Sequence, residues 1–455
     1  MSWASEELAG TDLGDERLNR RLVRIVEDLS ARPGASVPVA SRDSAALQGT
    51  YDFWSNRRVG VEDILGGHQA SVMRRARESG VVLAIQDTSE LDYSEHRKGT
   101  RGIGPISDPE ARGLKLHTVL AVSEAGVPLG ILHQRMWSRG EQVGTRKASR
   151  QRRIEEKESV RWLESLEETE RLLPEGVRVI TIADREADIY QLFAQPRRAQ
   201  SELLIRAAQN RNTKRSAFSE EVQPLFEVMA GSEIAGELAI ELQRTPKRKA
   251  RRCVLTVRYA RVWLQPPVHL SGMGAIEMWA VLAEEEKPPE KEKGVRWLLL
   301  STEAVEDLAG ACAKLRQYTL RWTIERYFFV LQSGCRVEEL QLEESERLER
   351  AVATYSVVAW RLMWMMYEAR RDPDQSVEGI LETVEWQALY MVVHRTRELP
   401  TEAPSLGECV RWIAKKGGFL GRKGDGEPGI KTLWRGWVVV SEVAAFWQGM
   451  QAELR

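Results

Sequence analysis

Hydrophobic residues recur along this chain at two spacings, and the switches between them divide it. In DERLNRRLVRIVEDLSA, Leu18, Leu22, Ile25 and Leu29 return at three- and four-residue steps while Arg17, Arg20, Arg21 and Arg24 take the other face. That period predicts an amphipathic helix, and ARPGAS (31–36) ends it. A second helix is predicted over SRDSAALQGTYDFWSN (41–56), with Ser41 and Asp43 as caps. Residues 1–66 thus read as a small helical module carrying an arginine stripe.

From about residue 79 the pattern changes. GVVLAIQDTS (80–89) is an apolar run of strand length, ending at Asp87, and GLKLHTVLAVSEAGVPLGILHQRMW (113–137) predicts two strands joined at SEAG. A charged helix is predicted over about 151–172. GVRVITIADREADIYQLFA (176–194) follows as strand, acidic corner and helix, and SELLIRAA (201–208) as another strand. This order predicts an α/β fold with a mixed sheet and helices packed on it. Residues 212–295 break the rhythm with segments that read as antiparallel strands, an insertion into the α/β domain. VRWLLLSTE (295–303) returns to the sheet, and residues 304–334 read as one long helix or two in series. Beyond about 372 the chain reads as a separate, mostly helical region. No internal repeat occurs.

At 455 residues, 42% hydrophobic and 29% charged, the composition is that of a soluble globular protein of two or three domains. No run of eighteen apolar residues is present, so no membrane span is expected, and the start shows no export signal. The expected location is the cytoplasm, on the nucleoid. Cys253, Cys312, Cys335 and Cys409 lie far apart without a CxxC pair and read as buried or free thiols. The net charge of −1 argues against a uniformly basic nucleic-acid binder. Its distribution argues otherwise: residues 139–153 and 244–252 each carry six basic side chains. Two such runs in a neutral protein suggest a local positive surface facing a polyanion.

Three carboxylates stand out. Asp87 and Asp184 each end a nearly all-apolar strand, and Glu325 sits in YTLRWTIE on the helix after the insertion. An acid at a strand end commonly caps the next helix. Two emerging at the rim of one buried sheet repel unless a cation lies between them, which suits Mg²⁺ with its oxygen ligands. A third carboxylate from the helix would complete a two-metal site for phosphodiester chemistry. Glu186 and Asp188, in the same DREAD corner, read as structural acids of a first helical turn. Tyr318, Arg321 and Glu325 share one side of a helix by spacing, although an Arg321–Glu325 salt bridge would satisfy the same pattern.

DREAD (184–188), YTLRWTIE (318–325) and SGC (333–335), in that order, resemble the bacterial insertion-sequence-four family of DDE transposases, which includes the transposon-five transposase. LGDERLNRRL, QGTYDFW, AIQDTS, PLGILHQ, AVLAEEEKPP, WLLLSTE and IAKKGGFLGRK extend the resemblance over most of the chain. It implies a ribonuclease-H-like catalytic domain over 67–372, interrupted by a β insertion at about 212–295. It also implies an N-terminal DNA-binding domain (1–66) and a C-terminal dimerisation domain (373–455). Asp87, Asp184 and Glu325 match the family's metal-binding triad, which holds two Mg²⁺ ions, with Mn²⁺ as a substitute. The family cuts double-stranded DNA at terminal inverted repeats through a hairpin intermediate, and acts as a homodimer on paired ends. The resemblance further implies phosphate contacts from Tyr318 and Arg321, a flipped base stacked on Trp297, and Arg206 near the active site. Arg17, Arg20 and Arg21 become candidates for reading the terminal repeat. The family pattern has lysine where this chain has Gln332, which weakens the expected grip on the DNA end. An attenuated or inactive DNA-end-binding regulator is therefore the alternative reading.

Overall fold

The computed structural model describes residues 2–96, 99–140, 153–242, 251–290, 292 and 294–453. The two basic runs thus lie almost wholly outside the described residues. Helices α1 (Trp3–Glu7), α2 (Glu16–Ala31), α3 (Val37–Ala40), α4 (Ser44–Ser55) and α5 (Val61–Ser79) open the chain. Strands β1 (Val81–Asp92), β2 (Gly104–Pro105), β3 (Arg112–Val122) and β4 (Pro128–Trp137) follow. Helix α6 (Val160–Leu172), strand β5 (Arg178–Ala183), helix α7 (Tyr190–Ala194) and strand β6 (Ser201–Arg206) come next. The insertion supplies β7 (Asn212–Lys214), β8 (Gln223–Pro224), α8 (Leu225–Ala230), β9 (Gly236–Leu242), β10 (Arg251–Leu264) and β11 (Ile276–Glu284). After β12 (Arg296–Ser301) the chain is helical: α9 (Leu308–Thr319), α10 (Trp322–Phe329), α11 (Ser345–Arg371), α12 (Thr383–His394), α13 (Leu406–Lys416) and α14 (Ile430–Glu453). The architecture is mixed α/β, with helices at both ends of the chain.

Two compact units divide the chain. A sheet unit takes residues 80–87 and 147–322, and a helical unit takes 1–79, 88–146 and 323–455. The helical regions expected at the two ends of the chain thus belong to one unit.

In the sheet unit, the first part of β1 pairs parallel with β5, and β5 parallel with β6. Strand β12 runs antiparallel to β6, and β11, β10 and β9 continue the same sheet antiparallel. The inserted strands therefore extend the sheet through β12. Val82, Leu83, Ala84 and Ile85 of β1 and Val179, Ile180 and Ile182 of β5 are buried. Parallel strands covered on both faces need such continuous apolar runs. Trp162 and Leu166 of α6 and Tyr190 and Phe193 of α7 close one core over Leu203, Ile205, Met278 and Leu300.

In the helical unit, α11 is buried along most of its length, its polar residues such as Arg350 and Thr354 included, as a central helix must be. Its Thr354 hydroxyl accepts from the Trp54 indole at 3.2 Å, and Arg350 donates to the Val59 carbonyl at 2.6 Å. Helix α2 forms as its period predicts, capped by Asp15, whose carboxylate accepts from Arg17 N. Asp43 caps α4 in the same way. Beneath α1 and α5 lies a buried polar cluster. His68 Nε2 accepts from Ile131 N, so its proton sits on Nδ1 and is shared with Glu7, which also takes two bonds from Arg75. All four cysteines are free and buried.

One local expectation changes. Strand β1 does not stop at Asp87 but runs five residues further, to Asp92, because it pairs there with β3 in the sheet. Phe329 at the end of α10, in the apolar stretch that closes residues 304–334, is 42% exposed and lies against Trp434 of α14, with ring centroids 5.4 Å apart. Among the described residues no helix is long and apolar enough to cross a membrane.

Candidate active site

The parallel register of β1 and β5 runs from Val81 opposite Arg178 to Ile85 opposite Ile182. Continued two residues, it sets Asp87 level with Asp184. The register of β5 with β6 ends at Ala183 opposite Ile205, and one step on sets Arg206 level with Asp184. Residues in one such row share a face of the sheet. By this continuation Asp87, Asp184 and Arg206 fall in one row, at the carboxyl ends of β5 and β6 and part-way along β1, which runs on to Asp92; the carboxyl-end edge is where open α/β sheets form binding crevices.

Each aspartate has a different setting. Asp184 is half-buried and caps a short 3₁₀ turn (Arg185–Ala187), its Oδ1 accepting from Glu186 N at 2.8 Å. The capping role weighed for a lone acid is thus present. Asp87 is ion-paired: Arg321 Nη1 donates to its Oδ2 at 3.0 Å. Arg321 stands in the turn between α9 and α10, which are two helices in series. The break is a tightening, since Leu320 N and Arg321 N bond to carbonyls three residues back. Its guanidinium also lies over the Trp322 ring, 5.4 Å from the centroid.

Tyr318, at the end of α9, is 2% exposed. Burial pushes its hydroxyl above the ordinary tyrosine range, against the pull of the Arg321 and Arg206 charges, so it remains a proton donor at neutral pH. Arg206 is held below the usual arginine range by burial, and by Arg185 and Arg321 among its charged neighbours. It donates to the Arg296 carbonyl at 2.9 Å. Trp297 is 9% exposed and packs edge-on against Tyr318, with centroids 5.6 Å apart. Two carboxylates and three arginines thus share one strand-end edge, a charge pattern suited to cation and phosphate together.

The rest of DREAD is structural, for a reason different from the helix dipole. Glu186 pairs with Arg161 at 2.6 Å. Asp188 is fully buried: its Oδ2 accepts from Ala208 N and Gln209 N, and its Oδ1 from Arg211 Nε and Nη2, all at 2.7–2.9 Å. Asp188 and Arg211 therefore fix the loop leaving β6 just after Arg206. Spacing alone gave no sign of this pair.

Two family matches bracket this site in the chain. The family Transposase DNA-binding matches residues 1–59, and Transposase Tn5 dimerisation domain matches residues 357–453. Both ends of the chain thus match transposase domains, and together they support a Tn5-like transposase of the insertion-sequence-four family. In the matched N-terminal part of this transposase, Arg17 and Arg20 are exposed on α2. Arg21 is half-buried across the contact with α4, where a Cβ on Gly49 would stand 1.3 Å from its Nη1. Arg20 lies 3.7 Å from the Glu16 carboxylate, an exposed pair within the helix.

The transposase carries Glu325 and Gln332 in its helical unit. Glu325 is half-buried on α10. Gln332 lies in a π-turn (Val330–Gly334) and turns its amide to the backbone of β1. Asp87 and Asp184 offer oxygen ligands only, level on adjacent strands, a donor pair that fits a hard divalent cation. Among the described residues no group of three or more His, Cys, Asp and Glu side chains is gathered closely enough to hold a metal ion.

Proposed function

We propose that this chain is a cut-and-paste DNA transposase with a ribonuclease-H-like catalytic domain. Asp87, Asp184 and Glu325 are its metal-binding carboxylates, for two Mg²⁺ ions with Mn²⁺ as a substitute. When bound, such a pair activates water and neutralises charge on a phosphodiester. The row of Asp87, Asp184 and Arg206 carries the reading, in a chain whose two ends match transposase DNA-binding and dimerisation families.

In the first step the oxygen of water bonds to phosphorus and the bond to the 3′-oxygen of the transposon end breaks, leaving a 3′-hydroxyl. That hydroxyl attacks the opposite strand, the flank leaves with its own 3′-hydroxyl, and the end closes as a hairpin. Reopening and attack on target DNA complete the sequence. Arg321, released from Asp87, and Arg206 hold phosphate oxygens through their planar forks, and Tyr318 donates its phenolic proton to a third. Trp297 stacks a flipped base once its ring swings from Tyr318. Arg17 and Arg20 contact the terminal repeat, and residues 373–455 pair two copies on double-stranded DNA. Residues 1–66 and 67–372 are the DNA-binding and catalytic domains, working in the cytoplasm on the nucleoid.

The test is a plasmid carrying the element's own ends, incubated with purified protein and Mg²⁺ and resolved on denaturing gels. Hairpin-ended excision products that vanish with Asp184→Ala support the reading. End binding without cleavage would make the chain a DNA-end-binding regulator instead.

A further inference from the structure

Strand β1 carries Asp87 and then runs on through residues bound from both sides. On one side, Thr88 Oγ1 pairs with His117 Nδ1 at 2.9 Å, and the Glu90 carboxylate takes Lys115 and Ser107. On the other, Gln332 Nε2 donates to the Glu90 carbonyl at 2.7 Å and lies 3.3 Å from Ser89 Oγ. Glu338, on the short turn Val337–Glu339, accepts from Asp92 N at 2.9 Å. The π-turn over Val330–Gly334 aims Gln332 this way. Such turns are rare insertions in a helix and are frequent at functional sites.

We infer that Gln332 is a positioning residue: its amide clamps the backbone of β1 three residues past Asp87 and so fixes the carboxylate at the strand's row position. A clamped strand cannot slide or fray, and a slip of one residue would turn Asp87 to the opposite face. The side chain expected at the DNA is thus spent on the protein's own backbone.

The inference rests on Asp87 being a metal ligand, and one set of titrations separates the two claims. Mn²⁺ binding to the full-length protein is measured by calorimetry for the parent, Asp87→Ala, Gln332→Ala and Gln332→Lys. Amide hydrogen exchange is followed at residues 89–92 in the same proteins. The expected result is Mn²⁺ affinity about tenfold weaker in Gln332→Ala, with faster exchange at Ser89 and Glu90. Gln332→Lys, whose ammonium can still donate to the Glu90 carbonyl, recovers most of both. Mn²⁺ affinity and exchange unchanged in Gln332→Ala, alongside binding lost in Asp87→Ala, would overturn the clamp and leave the metal reading standing. Equal Mn²⁺ binding by the parent and Asp87→Ala would overturn the metal reading and the clamp with it.

Discussion

Asp87 and Asp184 stand level on neighbouring parallel strands, yet the chain fixes them in opposite ways. At Asp184 the strand ends, and the acid is held within its own corner, capping the turn that follows it. At Asp87 the strand continues, and the next five residues are held by side chains from residues 107–117 and 332–338. One aspartate is placed by local structure and the other by long-range packing. A site built from both depends on distant parts of the chain having folded, even where its two ligands look alike in sequence.

The largest effect should come from either aspartate. Asp87→Ala and Asp184→Ala should each abolish cleavage on gels while leaving DNA-end binding measurable by filter retention. Retained cleavage in one of them would break the equivalence of the two strand ends.

Asp188→Ala tests how far the corner at Asp184 is local. It strands the buried Arg211 charge and two backbone donors, a loss of about 3–5 kcal/mol readable in chemical denaturation. A change under about 1 kcal/mol, the range of a surface pair, would mean that the loop after β6 is held by something else.

Acid should loosen the cluster of Glu7, His68 and Arg75 in the helical unit. Burial would raise Glu7, but its bonds from Arg75 and His68 outweigh this and hold it at about 2. Its stabilisation is complete above the ordinary value of 4.5 and is lost as pH falls toward 2. His68 is driven below its ordinary 6.5 by burial, so its contribution also fades as pH falls below that value. Glu349 and Glu385, both pushed up to about 7 by burial, act in the opposite sense, so the readout is the difference between proteins: Glu7→Gln should lose less melting temperature than the parent between pH 4.5 and 3. Equal losses in the two proteins would contradict the assignment.

The smallest effect belongs to the β1 side. Thr88→Val removes one hydrogen bond to His117 and should cost about 1 kcal/mol, measured by denaturation, with Asp87 still clamped by Gln332.

How much of this was legible in the sequence follows the same contrast. The strands around Asp87 and Asp184, the helix capped by Asp15 and the hairpin of β3 and β4 were readable because local period and turn residues specify them. The run of β1 past Asp87 was not, since no apolar alternation marks TSELD and the bonds that extend it come from other segments. Asp188 looked like a helix-dipole acid because its partner, Arg211, lies beyond a strand and a loop. Gln332 was expected at the DNA because the family pattern has lysine there; in the fold the π-turn directs its amide to the backbone of β1. The tryptophan at 297 offered a face to bases by motif alone; in the fold its ring is packed on Tyr318.

The central claim is that Asp87 and Asp184 ligate the metal that drives cleavage. Its most direct test is a ligand swap, Asp184→Cys and Asp87→Cys, assayed on end-containing plasmid in Mg²⁺ and in Mn²⁺. A thiolate is a poor ligand for Mg²⁺ and a better one for softer metals. Cleavage should therefore disappear in Mg²⁺ and return in part with Mn²⁺ in both variants. Parental cleavage by either variant in Mg²⁺ would contradict the claim, because that aspartate would then not be a ligand.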